Sequence, residues 1–501
     1  MRLRRRDGPG ARRGANGQQR EAFGLVPFDI IRCGVAFPRT EWPPRRYRVL
    51  GTVVLISTYE MGRQPFGLAS PAAWLRYAGA RVNVQDLAVS HIDMDAIRDA
   101  DLIAFYVPMH TATKLALRTY SKVRIERPDV PVCFYGLYAP LNADYLTRLG
   151  VDTVLGGEFE KGLVDLYATV GGGNGNGPET TDTIVGLPKF KVPDRSALPG
   201  LANYAHLDRG DGREQVVGYT EATRGCRHSC RHCPVVPVYG GRFVVVPPDV
   251  VLEDVRQQVA AGAQHVTFGD PDFFNGPAHA QRVVRRIHEE FPHLTYDVTV
   301  KVEHLRKHAA LIPTLRETGC VLVTSAVESF DELILEKFDK QHTREDFEFV
   351  LQEMNNAALA LNATFVAFTP WTTTGGYVDF LRTVSEFGLV DSVAPIQYAI
   401  RLLVTARSGL LDLPDVRSII GTFDDAALSY PWRHPDPAVD ELQRVILALV
   451  NTGQAAGQSR RELFRAVWES ACAAAGVDGG PPPDDVAPIA TIPFLTEPWF
   501  C

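Results

Sequence analysis

Two passages of the chain alternate short apolar runs with amphipathic stretches. In the first, VLGTVVLIST (49–58), RVNVQDL (81–87), DLIAFYV (101–107), VPVCFYG (131–137) and VDTVLGG (151–157) are rich in β-branched residues. Runs of this kind read as strands covered on both faces. A polar turn at Tyr59-Glu60-Met61-Gly62 ends the first run. A helix is predicted from Ser70-Pro71, with Ser as N-cap and Pro in the first turn, and Gly79 stops it. Strands alternating with helices imply a parallel sheet with helices on both faces, and five such strands suit a flavodoxin-like layout.

A second alternation starts near 216. The strand candidates are 216–223, 264–270, 295–301, 320–328, 363–369 and 391–400, and the helical stretches are 248–262, 278–291, 304–318, 343–361 and 376–388. Thr343 and Asp346 stand at capping-box spacing. Six βα units predict a partial (βα)6 TIM-type barrel, whose site lies at the carboxyl ends of its strands. Between the two passages, GGGNGNGPETTDT (171–183) and LPKFKVPDRSALPG (187–200) predict a Gly/Pro-rich linker over 171–215. Residues 401–501 read as a small, mostly helical region with amphipathic helices at 438–452 and 460–474. The α/β chain therefore divides into a basic extension (1–48), a sheet domain (49–170), the linker, a barrel (216–400) and a C-terminal region.

Charge and cysteine usage narrow the function. The 501 residues carry a net charge of -7, and the whole-chain composition is that of a folded protein, with 45% hydrophobic and 22% charged residues. The balance argues against a general nucleic-acid binder. Twelve Arg against four acids give residues 1–48 a charge of +8, which leaves -15 for the rest. That segment lacks the apolar stretch of a secretory signal, and no run is long and apolar enough to span a membrane, so a cytoplasmic protein with no membrane partner is expected.

Three of the eight cysteines, Cys226, Cys230 and Cys233, lie in EATRGCRHSCRHCPVVPVYGGRF (221–243), directly after the first barrel strand. Three thiolates on one loop can hold three irons of a four-iron, four-sulfur cluster and leave the fourth iron open. The alternative is a structural zinc site with His228 or His232 as fourth ligand, in a non-catalytic zinc or iron–sulfur protein. Zinc sites more often pair Cys-x-x-Cys with a second distant pair, and this chain has none.

With this motif in this setting, residues 216–400 resemble the radical S-adenosylmethionine (radical SAM) superfamily. The resemblance implies that Cys226, Cys230 and Cys233 bind a 4Fe-4S cluster. The cluster's open iron would take the amino and carboxylate groups of S-adenosylmethionine, and one-electron cleavage would give a 5′-deoxyadenosyl radical. It places Gly269-Asp270-Pro271-Asp272 at the methionine ammonium, Glu328 (in SAVES) at the ribose hydroxyls and His232 against adenine. Glu303, beyond Lys301, would be a rim or substrate-pocket residue, and Thr369-Pro370-Trp371 would shape the pocket. The partners implied are an external electron donor of flavodoxin or ferredoxin type and a small-molecule or peptide substrate.

A flavodoxin-like domain before such a barrel resembles the cobalamin-binding radical SAM subgroup. That likeness implies cobalamin at the strand ends 57–59, 108–111, 136–138 and 156–158, and methyl transfer as one reaction. The paired glycines there would let a ligand approach the backbone. The D-x-H-x-x-G signature of a cobalt-ligating His is missing, as in many members of the subgroup, and His110 reads as an ordinary hydrogen-bonded loop residue. STYEMGRQPFGLASPAAWL (57–75), VPMHTATKLAL (107–117), FYGLYAPLNADYL (134–146), GGEFE (156–160) and LTEPWFC (495–501) resemble a radical SAM family named for a CUAEP or CCAEP tail. This implies that the native chain continues past Cys501 with selenocysteine.

Overall fold

The computed structural model describes residues 51–170, 181–184, 190–210, 212–480, 482 and 493–496. The expectations for 1–48, for most of the Gly-rich stretch and for the tail beyond 496 lie outside them.

The first sheet is built from β1 (Thr52–Ser57), β2 (Arg81–Asp86), β3 (Leu102–Tyr106), β4 (Val132–Tyr135), β5 (Thr153–Gly157) and β6 (Thr181–Ile184). All neighbours run parallel in the order β2-β1-β3-β4-β5-β6. The first five strands are the expected ones in flavodoxin-like order. The sixth lies inside the stretch expected to be linker. Alternate residues of β1 face opposite ways. Val53 and Leu55 pack with helices Phe66–Tyr77 and Phe159–Val170, and Val54 and Ile56 pack with helix His110–Glu126. Burial on both faces explains why these strands read as continuous apolar runs.

The first helix begins at Phe66, earlier than the Ser70-Pro71 start, so Pro71 stands inside it. Proline has no N–H for the carbonyl of residue 67. That carbonyl instead accepts a hydrogen bond from the Tyr135 hydroxyl at 2.8 Å. Ser70 is not the cap; its hydroxyl donates to Glu160 at 2.5 Å.

The second sheet contains β7 (His206–Asp208), β8 (Glu214–Thr220), β11 (His265–Phe268), β12 (Thr295–Thr299), β13 (Cys320–Glu328), β14 (Ala360–Phe365) and β15 (Phe494–Leu495). Strands β9 (Thr223–Gly225) and β10 (Phe243–Val245) form a separate antiparallel ribbon. The order is β14-β13-β12-β11-β8-β7-β15, with β8 and β11 to β14 parallel and β7 and β15 added antiparallel. This is the partial barrel, curled around the main hydrophobic core.

Its sixth unit differs from expectation. Residues 391–400 form no strand; Pro395–Tyr398 is a 3-10 turn. Pro395 cannot donate to a ladder. What remains is one parallel bridge between Phe368 and Arg401, while the Gln397 side chain accepts the Phe365 N–H at 2.8 Å. The expected helix 304–318 is broken into Val302–Lys307, a 3-10 turn at Ala309–Leu311, and Ile312–Glu317. The capping box at Thr343 and Asp346 is present, as are the helices Pro437–Ala455 and Arg460–Ala475. Among the described residues, no helix is long and apolar enough to cross a membrane.

Candidate active site

The three-cysteine loop leaves the ribbon at Gly225, whose backbone is left-handed (φ +77°). A Cβ there would lie 2.4 Å from the Tyr239 ring and 2.6 Å from the Arg242 carbonyl, so the position requires glycine. Asn275 pins the same turn, donating to the Gly225 carbonyl at 3.1 Å and accepting from the Arg227 N–H at 3.2 Å. Farther along, the Arg231 N–H donates to the Phe338 carbonyl, and its guanidinium caps Glu336 and Lys337 at the end of helix Glu332–Phe338. The loop is therefore held from both barrel flanks.

Cys230 is buried, and Cys226 and Cys233 are half-buried beside Tyr138, Leu141, Val235, Val238 and Tyr239. Burial pushes the Cys226 thiol up to about 12 and the Cys233 thiol up to about 11. Thiolates form here only with a cation to offset their desolvation. The three sulfurs are not gathered within 4.8 Å of one another among the described residues. Tetrahedral zinc at Zn–S of about 2.3 Å would draw its sulfurs to about 3.7 Å apart. The three sulfurs do not stand as the close set that a single tetrahedral zinc would need. Neither candidate fourth ligand completes a zinc site: His228 turns to Asp272 at 3.3 Å and His232 to Glu328 at 3.1 Å.

The loop after β11 brings Asp272 within 4.8 Å of the Cys226 sulfur. Its neighbours are committed elsewhere. Gly269 lies so close under Tyr219 that a Cβ would meet the hydroxyl at 1.8 Å. Asp270 accepts from the Ala222 N–H at 2.9 Å and the Thr223 hydroxyl at 2.6 Å, and burial pushes its carboxyl up to about 7. Pro271 is exposed. Of the four, only Asp272 turns a polar side-chain atom to the cysteine loop.

Glu328 ends β13 in left-handed backbone (φ +71°), next to a bulge in the pairing with β14. His232 Nε2 lies 3.1 Å from its carboxylate oxygen Oε1, and the Lys340 ammonium donates to the same oxygen at 3.4 Å. Burial alone would raise this carboxyl; Lys340 and His232 outweigh it and hold the group down at about 2. The His232 ring lies against Phe338, 4.4 Å between centroids. Nearby, the Lys301 ammonium is buried without a hydrogen-bond partner, and burial with the Lys340 and Lys301 charges pushes His342 down to about 3. Motif reading missed Asn275, His304, Lys340 and His342, which carry no local signature and meet the site only through the fold.

At the first sheet's carboxyl edge, side chains pack closely against the glycines of the strand ends. A Cβ on Gly156 would meet Pro140 at 2.6 Å, and one on Gly136 would meet Tyr106 at 3.1 Å. Glu158 and Glu160 pair with Arg224 at 2.9 and 2.8 Å. His110 is hydrogen-bonded through Nε2 to the Ala427 carbonyl at 2.6 Å. Beside them, Pro140, Leu141, Tyr145 and Arg148 line an open cavity with Arg407 and Phe423.

A profile of the Radical SAM superfamily matches residues 220–368, the stretch that holds the cysteine loop and the β11 to β14 strand ends. Residues 220–368 are thus a radical SAM domain by this match. Its radical SAM barrel and first sheet together have the fold of cobalamin-dependent radical SAM enzymes. Against OxsB with aqua-cobalamin and S-adenosylmethionine the TM-score is 0.64 at 14% identity, covering 81% of this chain and 67% of that one. Against the radical SAM methyltransferase TsrM from Kitasatospora setae, with tryptophan substrate and a SAM analogue, it is 0.55 at 18% identity, covering 67% and 71%. Two curated relatives are similar in sequence. The tRNA-2-methylthio-N(6)-dimethylallyladenosine synthase of Desulfosudis oleivorans is 24% identical over 231 residues, 44% of this chain and 48% of the relative. The hopanoid C-3 methylase of Methylococcus capsulatus is 25% identical over 301 residues, 56% of each. The chain spans about half the length of these curated relatives.

Proposed function

We propose that this radical SAM enzyme holds a 4Fe-4S cluster on Cys226, Cys230 and Cys233 and cleaves S-adenosylmethionine reductively to act on a small-molecule or peptide substrate. The observation that carries the reading is the three-thiol loop, buried or half-buried at each cysteine, within the radical SAM domain match. When bound, the cluster supplies the electron that breaks the sulfonium bond and yields a 5′-deoxyadenosyl radical. The chain's own residues supply position and polarity. Asp272 offers a carboxylate beside the cysteine loop for the methionine ammonium, and Glu328, ionised over the whole physiological range, offers acceptors for the ribose hydroxyls. Lys301, a buried ammonium without a partner, suits a ligand carboxylate. The electron comes from an external donor of flavodoxin or ferredoxin type.

Anaerobic reconstitution tests this. About four iron and four sulfide per chain, with reductant-dependent release of 5′-deoxyadenosine, is the expected result. Cys230→Ala should abolish release while leaving the far-ultraviolet circular dichroism unchanged. Stoichiometric zinc without cleavage would overturn the reading.

Methyl transfer with cobalamin is a second reading, supported by the likeness to OxsB, TsrM and the hopanoid methylase. Stoichiometric uptake of hydroxocobalamin by the anaerobic protein would favour it, and no spectral change on titration would remove it.

A further inference from the structure

His228, Glu303 and His304 meet beside the cysteine loop. One ligand atom from each lies within 4.8 Å of the other two. His228 Nε2 stands 3.6 Å from Glu303 Oε2, and His304 Nε2 stands 3.5 Å from the same oxygen. Donors bound to one metal at about 2.1 Å are separated by about 3.0 to 3.5 Å. His228 Nε2 and Glu303 Oε2 are buried and make no hydrogen bond, although both are polar and near each other. His228 is 7% exposed and His304 1%. A buried imidazole nitrogen of His228 and a carboxylate oxygen of Glu303 that both lack a hydrogen bond are costly unless a ligand is shared.

A fourth residue completes the pattern. His304 Nδ1, the ring nitrogen not facing Glu303, lies 2.7 Å from Asp272 Oδ2. Metal-bound histidines are characteristically oriented by a carboxylate on the opposite nitrogen. Glu303 is 26% exposed on its side chain, which leaves the site reachable from one side.

We propose that His228 Nε2, His304 Nε2 and Glu303 Oε2 form a binding site for one divalent first-row transition ion, with Asp272 orienting His304. Two imidazoles and one carboxylate suit iron(II), manganese(II) or zinc, and leave coordination positions for an oxygen of substrate or water. The ion lies next to the loop that carries Cys226 but shares no ligand with the thiol set. The site does not depend on the cluster assignment, and the test separates the two.

Mn2+ is the probe. The cluster in its resting oxidised state is diamagnetic, so the free-ion resonance of Mn2+ can be titrated against the anaerobic, cluster-loaded full chain. One Mn2+ per chain is expected. Glu303→Gln and His304→Ala should each weaken uptake at least tenfold, and Asp272→Asn should weaken it by about 10- to 100-fold. Glu303 is partly exposed, so its variant keeps the test valid if His304→Ala fails to fold. The Cys226→Ala, Cys230→Ala, Cys233→Ala triple variant should lose its iron and keep its Mn2+. No uptake at millimolar Mn2+, or uptake unchanged in Glu303→Gln, would overturn the site. Loss of uptake in the triple cysteine variant alone would also overturn it, because the ion would then belong to the thiols.

Discussion

Glu328 is a full-sized residue in a backbone conformation that only glycine adopts freely, at φ +71°. Such strain is of order 1–3 kcal/mol and persists where the surroundings over-determine it. Here the determinants are the β13–β14 bulge and the bonds from His232 and Lys340. The sign of its pH effect follows. Its folded-state value of about 2 lies below its ordinary 4.5, so its ionic contribution is present above 4.5 and is lost as the pH falls towards 2. A shift of that size corresponds to about 3 kcal/mol. Glu328→Gln should therefore be less stable than wild type by up to about that amount near neutrality. The gap should narrow as the pH drops below 4.5. Urea unfolding at several pH values measures it, and a gap independent of pH would show that the Lys340 and His232 contacts contribute nothing. At this scale the cysteine spacing was readable because all three thiols share one short loop. The pairing of His304 with Asp272, 32 residues apart on different barrel loops, was not, since nothing local links them.

Elements were legible where burial on both faces writes a continuous apolar run, and β1 to β5 and β13 fell where the pattern put them. The exceptions have local causes. Pro71 imitates a helix start, but Tyr135 satisfies the carbonyl that proline leaves free. Pro395 interrupts an otherwise apolar run, and β6 is a tetrapeptide with three β-branched residues inside glycine-rich sequence. The element that couples sheet to barrel is β9, through Arg224. Its guanidinium is buried among Glu158, Glu160 and Glu221, at 2.9, 2.8 and 2.7 Å. Burial outweighs this pairing for Glu158 and Glu221, whose carboxyls are pushed up to about 7. Groups raised in the folded state stabilise it while protonated, and that contribution fades as pH rises through 7. Arg224→Met removes the positive charge these acids share and should cost about 3–5 kcal/mol when they are ionised. The loss should be small at pH 5 and full at pH 8. Equal losses at both would mean that the arginine acts by packing alone.

For the whole molecule, the question is what makes sheet domain and barrel one folding unit across a connector that composition marks as a linker. The described part of that connector is packed. Arg195 is buried and bonds to Asp254 through Nε (2.7 Å) and Nη2 (2.9 Å), to the Tyr219 carbonyl (2.5 Å), and to Gln64 of the sheet domain (2.7 Å). Asp254 is itself 1% exposed and also accepts from the Thr220 hydroxyl at 2.8 Å. One guanidinium thus joins the loop after β1, the connector, β8 and helix Pro248–Ala260. Composition could not show this, because a single arginine among prolines looks like a solvated linker charge until its partners are known. Arg195→Ala leaves Asp254 charged and buried with only hydroxyl and amide partners, a loss of about 3–5 kcal/mol. It also cuts the bond to Gln64, so the two domains should no longer melt together. Calorimetry should show one transition for wild type and two for the variant, the lower one from the barrel that holds the stranded carboxylate. Arg195→Lys should recover little, because an ammonium cannot make the paired bonds to Asp254 while reaching Gln64. A single unshifted transition in Arg195→Ala would mean that the apolar contacts between the domains suffice, and that this arginine only decorates them.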